Sequence, residues 1–190
     1  MSAPIERCPW CGTDPLYCDY HDSEWGVPLH TTNGWYERIV LETMQAGLSW
    51  ITVLRKRDHY RAVCHQFDPH IVATYGEDDI TRLMADPGII RNRAKIVAMI
   101  HNAQMFLTLQ AKTTAVDDYF WRYVDGRPLQ PHRQHHAEIP AITPIATQMA
   151  QDLRQRGFKF IGPTMCYALM QATGLVNDHL VSCHRHAALR

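Results

Sequence analysis

Tyr36, Ile39, Val40, Thr43 and Met44 recur at steps of three and four, the spacing that turns one face of a helix inward, and Gly47 is placed to end that helix. Ser49 can cap a second helix over the apolar run from Trp50 to Leu54, which passes into Arg55, Lys56 and Arg57, cations that suit a helix C-terminus. Asp78 and Asp79 open a short helix with Ile80, Leu83 and Met84 on one side. Beyond Asp86-Pro87-Gly88 a longer helix carries Ile96, Ile100, Ala103 and Leu107 in alternating steps of four and three. Asp117 and Asp118 introduce an aromatic helical run through Tyr119, Phe120, Trp121 and Tyr123 that Gly126 and Pro128 stop. The stretch 129–144 is polar and rich in proline and histidine, which predicts an ordered loop. Ile145, Met149 and Leu153 mark a helix ending near Gly157. Pro163 suits the first position of another ending at Gly174, and Asn177 or Asp178 can cap a last one. No period-two alternation persists, so the pattern predicts an all-α fold.

Composition narrows the class without changing it. At 190 residues, with 46% hydrophobic and 20% charged positions, the chain can bury a core of its own and shows no sign of disorder or repeat. Its apolar stretches are too short to cross a bilayer, and no basic segment followed by an apolar one opens the chain, so a cytoplasmic location is expected. In that compartment the six cysteines read as thiols or metal ligands, not disulfides. A formal net charge of zero excludes a broadly basic coat. It leaves room for local basic faces at Arg55 to Arg57, Arg91 to Lys95 and Arg154 to Lys159, although each run by itself reads first as an ordinary solvated face.

Three groups of residues carry candidate chemistry. Cys8 and His21 near one end and His179 and Cys183 near the other could together hold a tetrahedral ion, with the last two sharing the face of a helix. Cys11, Cys18, His184 and His186 compete for the same role, and Cys8-Pro-Trp-Cys11 also has redox spacing; Cys64 and Cys166 look like buried thiols. Spacing does not choose among them. Asp86 to Ile90 form a tight turn between helices, either a plain connection or a hairpin whose backbone N–H groups meet a phosphate. Trp10, Tyr17, Tyr20, Trp25 and Trp50 are core rings or the walls of a pocket for a flat base. Glu42 lies among Val40, Leu41 and Met44, where an acid must be paired, hydrogen-bonded or functional.

Arg7-Cys8, Asp14 to Tyr17, Tyr20 to Pro28, Gln45 to Leu54, Arg156 to Phe160, and Gln171 with Gly174 to His179 follow one another over nearly the whole chain in a series that resembles 3-methyladenine DNA glycosylase I, a helix-hairpin-helix family. The resemblance implies two closely packed helical lobes, residues 36–115 and residues 1–35 with 116–190. It implies one structural zinc held by Cys8, His21, His179 and Cys183. It makes Glu42 the catalytic, base-reading acid, with Tyr20, Trp50, Trp10 and Tyr17 around the base. Gly47 and Leu48 would enter the gap left by a flipped nucleotide, while Gly88, Ile89, Ile90, Arg91 and Lys159 would touch DNA. The implied partners are duplex DNA containing 3-methyladenine and the freed base as product, for a monomeric enzyme without a membrane. Cys11 and the histidine-rich tail stand outside that pattern. The implied activity cuts the glycosidic bond and leaves an abasic site, so Lys95 carries no Schiff-base role and no aspartate an essential one. The rival expectations are a related enzyme for other alkylated bases, a zinc-stabilised DNA-binding module without catalysis, and a redox protein using Cys8 and Cys11.

Overall fold

The computed structural model describes residues 5–190, and among them eleven α-helices and no sheet are present. In chain order the helices are α1 (Pro15–Ser23), α2 (Thr32–Gln45), α3 (Trp50–Leu54), α4 (Arg57–Val63), α5 (Pro69–Val72) and α6 (Glu77–Ala85). There follow α7 (Arg93–Ala111), α8 (Val116–Trp121), α9 (Pro144–Gln155), α10 (Pro163–Ala172) and α11 (His184–Ala188). The all-α expectation holds.

Local chemistry sets most of the starts. Asp14 accepts the Tyr17 N–H at 3.2 Å to cap α1, Asn92 accepts the Lys95 N–H at 3.2 Å to cap α7, and Thr143 accepts the Ala146 N–H at 3.1 Å to cap α9. Helix α6 begins one residue before Asp78, with Glu77, Asp78 and Asp79 all in the first turn, where the helix dipole favours them. Proline stands at the first position of α9 and of α10.

The central element is α2, which packs on α3, α7, α8 and α10. Seven of its residues after Gly34 are fully buried side chains, and Glu42 is among its buried positions. On α7 the inward positions are Ile96, Met99, Ile100, Ala103, Phe106 and Leu109, so the buried stripe passes through Phe106 and Leu109 while Leu107 is half-buried. The end of α2 is tied down from α7, where the buried Lys95 ammonium donates to the Met44 carbonyl at 2.9 Å and the Ala46 carbonyl at 2.6 Å. Gly47 follows at φ 78, a left-handed turn that glycine adopts without strain, and it releases the chain into α3.

The C-terminal segment corrects one expectation. Asn177 and Asp178 cap no helix, and His179 and Cys183 lie on none; the last helix is α11. Both capping candidates are buried and engaged elsewhere. Asn177 donates to Gln130 at 2.9 Å and to the His186 carbonyl at 3.0 Å, while Asp178 accepts from Tyr167 and, at 2.9 Å, from Gln171. These side chains hold 175–183 as a non-helical strap that ends in a turn at 181–183, joined at Val176 by one isolated parallel bridge to Leu129 in the predicted loop. The segment 26–29 is tied to the end of α10, where the Gly26 and Leu29 N–H groups donate to the Gln171 and Thr173 carbonyls at 3.0 Å each.

Candidate functional site

The strap brings the two ends of the chain together. Cys8, His21, His179 and Cys183 are all buried, and one donor atom from each lies within 4.8 Å of the others. The close contacts are Cys8 Sγ to His179 Nδ1 at 3.6 Å, Cys183 Sγ to His179 Nδ1 at 3.5 Å and Cys183 Sγ to His21 Nε2 at 3.5 Å. A tetrahedral ion with bonds of about 2.3 Å to sulfur and about 2.0 Å to nitrogen separates such donors by roughly 3.6 Å, so the four residues fit a metal ion. The rings are held ready by outer partners: His21 donates from Nδ1 to Asp22 at 2.8 Å, and His179 donates from Nε2 to the Trp25 carbonyl at 3.0 Å. The Leu180 N–H approaches Cys8 Sγ at 3.4 Å, and hydrogen bonds from Cys8, His179 and His21 hold the Cys183 thiol far below its ordinary range. The same hydrogen bond and burial push the Cys8 thiol up, so the two sulfurs share one proton, held on Cys8, which a bound cation would displace.

Cys11 and Cys18 stand apart from this cluster. Cys11 is buried with its thiol turned to the Cys8 carbonyl at 3.1 Å, and burial pushes it up to about 11, a poor nucleophile. Cys64 and Cys166 are buried thiols as expected, each pushed up to about 12 by burial.

Next to the cluster is a cavity of about 270 Å³. Trp10, Tyr17, Tyr20, Trp25 and Trp50 form its aromatic walls, with Tyr20 and Trp50 centroids 5.3 Å apart and Trp10 set edge-on to Tyr17 at 5.0 Å and to Trp25 at 4.9 Å. Glu42 lines it from α2 and is 6% exposed. Burial pushes its carboxyl up to about 8, with Arg38 one turn earlier pulling the other way. The indole N–H groups of Trp10 and Trp50 are buried and have no hydrogen-bond partner among the described residues. Behind Tyr20, Arg38 and Arg57 converge on Glu24, Arg38 at 2.7 Å and Arg57 through a two-bond fork at 2.6 and 2.7 Å, and both guanidiniums flank the Tyr20 ring. Arg57 is therefore a buried brace and no part of a basic face.

A second cavity of about 540 Å³ adjoins the first and shares Glu42, Gln45, Thr164 and Ala168 with it. Its walls include Gly47 and Leu48 from the turn after α2 and Phe160 to Gly162 from the turn before α10. Leu48 is 41% exposed, and Lys159 is exposed beside Phe160. Gly88, Ile89 and Ile90 line neither cavity. The Gly88 N–H is held by Asp86 at 2.7 Å, the Ile90 N–H by the Tyr60 hydroxyl at 3.0 Å, and the Ile89 side chain is buried; Arg91 is exposed.

Gln45 enters the sequence analysis only as the start of a motif and without a site role, although it lies three residues after Glu42, on the same helical face. Thr164, Tyr167 and Gln171 on α10 also line the first cavity; their spacing marks a helix face but nothing in it points to Glu42.

A buried acid with no hydrogen-bond partner among the described residues, walled by aromatic rings and open toward a groove, defines a site shaped for a flat group. The comparisons with known proteins agree with that class. A profile of methyladenine glycosylases matches residues 10–186, so the chain belongs to the methyladenine glycosylase family. It is 49% identical over 179 residues to DNA-3-methyladenine glycosylase 1 of Escherichia coli (strain K12), covering 94% of this chain and 96% of that protein. A crystal structure of 3-methyladenine DNA glycosylase I superposes with a TM-score of 0.92 at 49% identity, over 94% of this chain and 98% of that one. A variant of 3-methyladenine DNA glycosylase I in complex with 3-methyladenine superposes with a TM-score of 0.91 at 34% identity, over 95% and 97%.

Proposed function

We propose that the chain hydrolyses the N-glycosidic bond of 3-methyladenine in duplex DNA, flipping the nucleotide, releasing the free base and leaving the abasic strand uncut. The observation that carries this is the state of Glu42, a carboxyl buried without a hydrogen-bonded counterpart in an aromatic cavity and pushed up to about 8. Neutral adenine offers no charge to offset ionising that acid. A base methylated at N3 does, because it is cationic while attached to its sugar, and rings stack more strongly on a cation. Selection and chemistry coincide. The leaving group departs neutral, so no strong general acid is required; positive charge moves from base to sugar as the bond opens, and water completes the reaction at the sugar.

In this reading Tyr20 and Trp50 stack on or border the base, Trp10 and Tyr17 close the pocket, and Glu42 pairs with the base edge. Gly47 and Leu48 enter the gap in the duplex, and Lys159 meets the backbone. The hairpin role of Gly88 to Ile90 rests on the adjacent Arg91, since Asp86 and Tyr60 already hold the amides of Gly88 and Ile90. Cys8, His21, His179 and Cys183 hold one structural zinc, which supplies no step of the reaction and fixes the wall shared with the pocket. The enzyme acts as a monomer in the cytoplasm.

Chromatography of bases released from methylated duplex DNA tests the activity. The expected result is free 3-methyladenine, with release lost in Glu42→Ala; binding without release would turn the reading toward a DNA-binding module, and undiminished release by Glu42→Ala would remove the acid from it.

A further inference from the structure

Phe160 is an aromatic side chain where physical chemistry disfavours one. It is 46% exposed, among the most exposed large hydrophobic residues described, and its backbone sits at φ 56, the left-handed region that a residue with a side chain rarely adopts. The turn that presents it is fixed from several sides. His101 meets the Gly157 carbonyl at 2.8 Å, the buried Asn102 donates to the Lys159 carbonyl at 3.0 Å and accepts its N–H at 2.8 Å, and Arg154 donates to the Ile161 carbonyl at 2.6 Å. Strain held in place by this many contacts and used to project a ring into solvent points to a contact surface.

The position of that surface names its occupant. Phe160 and Leu48 come from different turns and line the same cavity, which runs into the base pocket through Glu42, Gln45, Thr164 and Ala168. A nucleotide with its base beside Glu42 must lead its sugar and phosphates out through this cavity. The strand continuing from it passes the exposed Lys159, whose charge suits a phosphate, and the next apolar surface available to it is Phe160. We propose that Phe160 is a second apolar contact to the lesion-bearing strand, packing its ring on the deoxyribose next to the flipped nucleotide while Leu48 fills the gap from the other turn. This rests on the reading of the first cavity as the base pocket.

The test compares Phe160→Gly and Phe160→Leu with the unsubstituted protein in binding a duplex that carries a tetrahydrofuran abasic analogue. Glycine is at ease at φ 56, so the first variant removes the ring without straining the turn. Phe160→Gly is expected to weaken duplex binding roughly 10-fold, Phe160→Leu less, both with the same slope of log K against log salt, while affinity for free 3-methyladenine stays unchanged. Lys159→Ala should instead reduce that slope by about one. Unchanged duplex affinity in Phe160→Gly, an altered salt slope, or an equal loss of affinity for the free base would each overturn the proposal. Failure of the base-pocket reading shows separately, as absence of 3-methyladenine release by the unsubstituted protein.

Discussion

Two sets of buried polar groups share one wall. On one side of Trp10 and Trp25 stand Cys8, His21, His179 and Cys183; on the other stands Glu42. The His21 ring lies 5.3 Å from Trp10 and is stacked on Trp25 at 6.3 Å, and Trp25 receives the His179 hydrogen bond through its carbonyl. The first set is closed: every donor faces another, and each imidazole has an outer partner. The second is open: two buried indole N–H groups have no hydrogen-bond partner among the described residues, and the Glu42 carboxyl beside them is pushed up by burial with only the charge of Arg38 against it. Burial of polar groups stabilises the chain only where the groups satisfy one another. The first arrangement serves the fold, and the second withholds satisfaction until a ligand arrives.

The contrast can be broken most strongly at the cluster. Cys183→Ser leaves three donors of four, and the expected outcome is loss of bound zinc by elemental analysis together with a fall in melting temperature on the order of 10 °C. A protein that never carries metal, or a variant that melts with the unsubstituted chain, would end the assignment of a structural role. At the pocket the expectation reverses. Glu42→Gln should lower the rate of base release roughly 100-fold while leaving the melting temperature at neutral pH equal or higher, because it removes an unsatisfied acid.

Acidity sharpens the same difference. Glu42 has its folded value raised from 4.5 to about 8 by burial, so the folded protein holds a proton that the unfolded chain releases. Its stabilising share is complete below about pH 4.5 and disappears as pH climbs through about 8. The stability advantage of Glu42→Gln over the unsubstituted protein should therefore widen between those limits in denaturant titrations. Calorimetry in buffers of different ionisation enthalpy should find a proton released when a cationic base analogue binds below about pH 8.

Between the two regions lies Asp178, which neighbours His179 of the cluster and holds Tyr167 and Gln171 of the pocket wall. Asp178→Asn keeps the shape but cannot accept from both and from Arg133 as a carboxylate does; a loss of about 2 kcal/mol of stability and weaker binding of free 3-methyladenine are expected. The smallest effect belongs to the rim. Arg91→Ala should leave melting temperature and free-base binding alone and reduce the salt slope of DNA binding by about one.

The long helices were legible because their faces repeat: α2, α7, α9 and α10 each appear where the pattern places them. Helices α1, α4 and α5 did not stand out, being too short to repeat a face, with α5 a single turn fixed by Asp68 and Pro69. The four-residue step from His179 to Cys183 fits a helix face and also a turn, and only the engagement of Asn177 and Asp178 with distant partners selects the turn. Glu42 was visible as an acid out of place. Arg57 was not visible as a brace, because its partner Glu24 lies 33 positions away.

Cys8 and His179 meet across 171 positions. Synthesis on the ribosome therefore delivers Cys8 and His21 long before His179 and Cys183. The aromatic wall contributed by Trp10, Tyr17, Tyr20 and Trp25 thus waits for a distant segment to close against, and a nascent chain that has not reached Cys183 carries every residue lining the pocket without the full cluster that backs its wall.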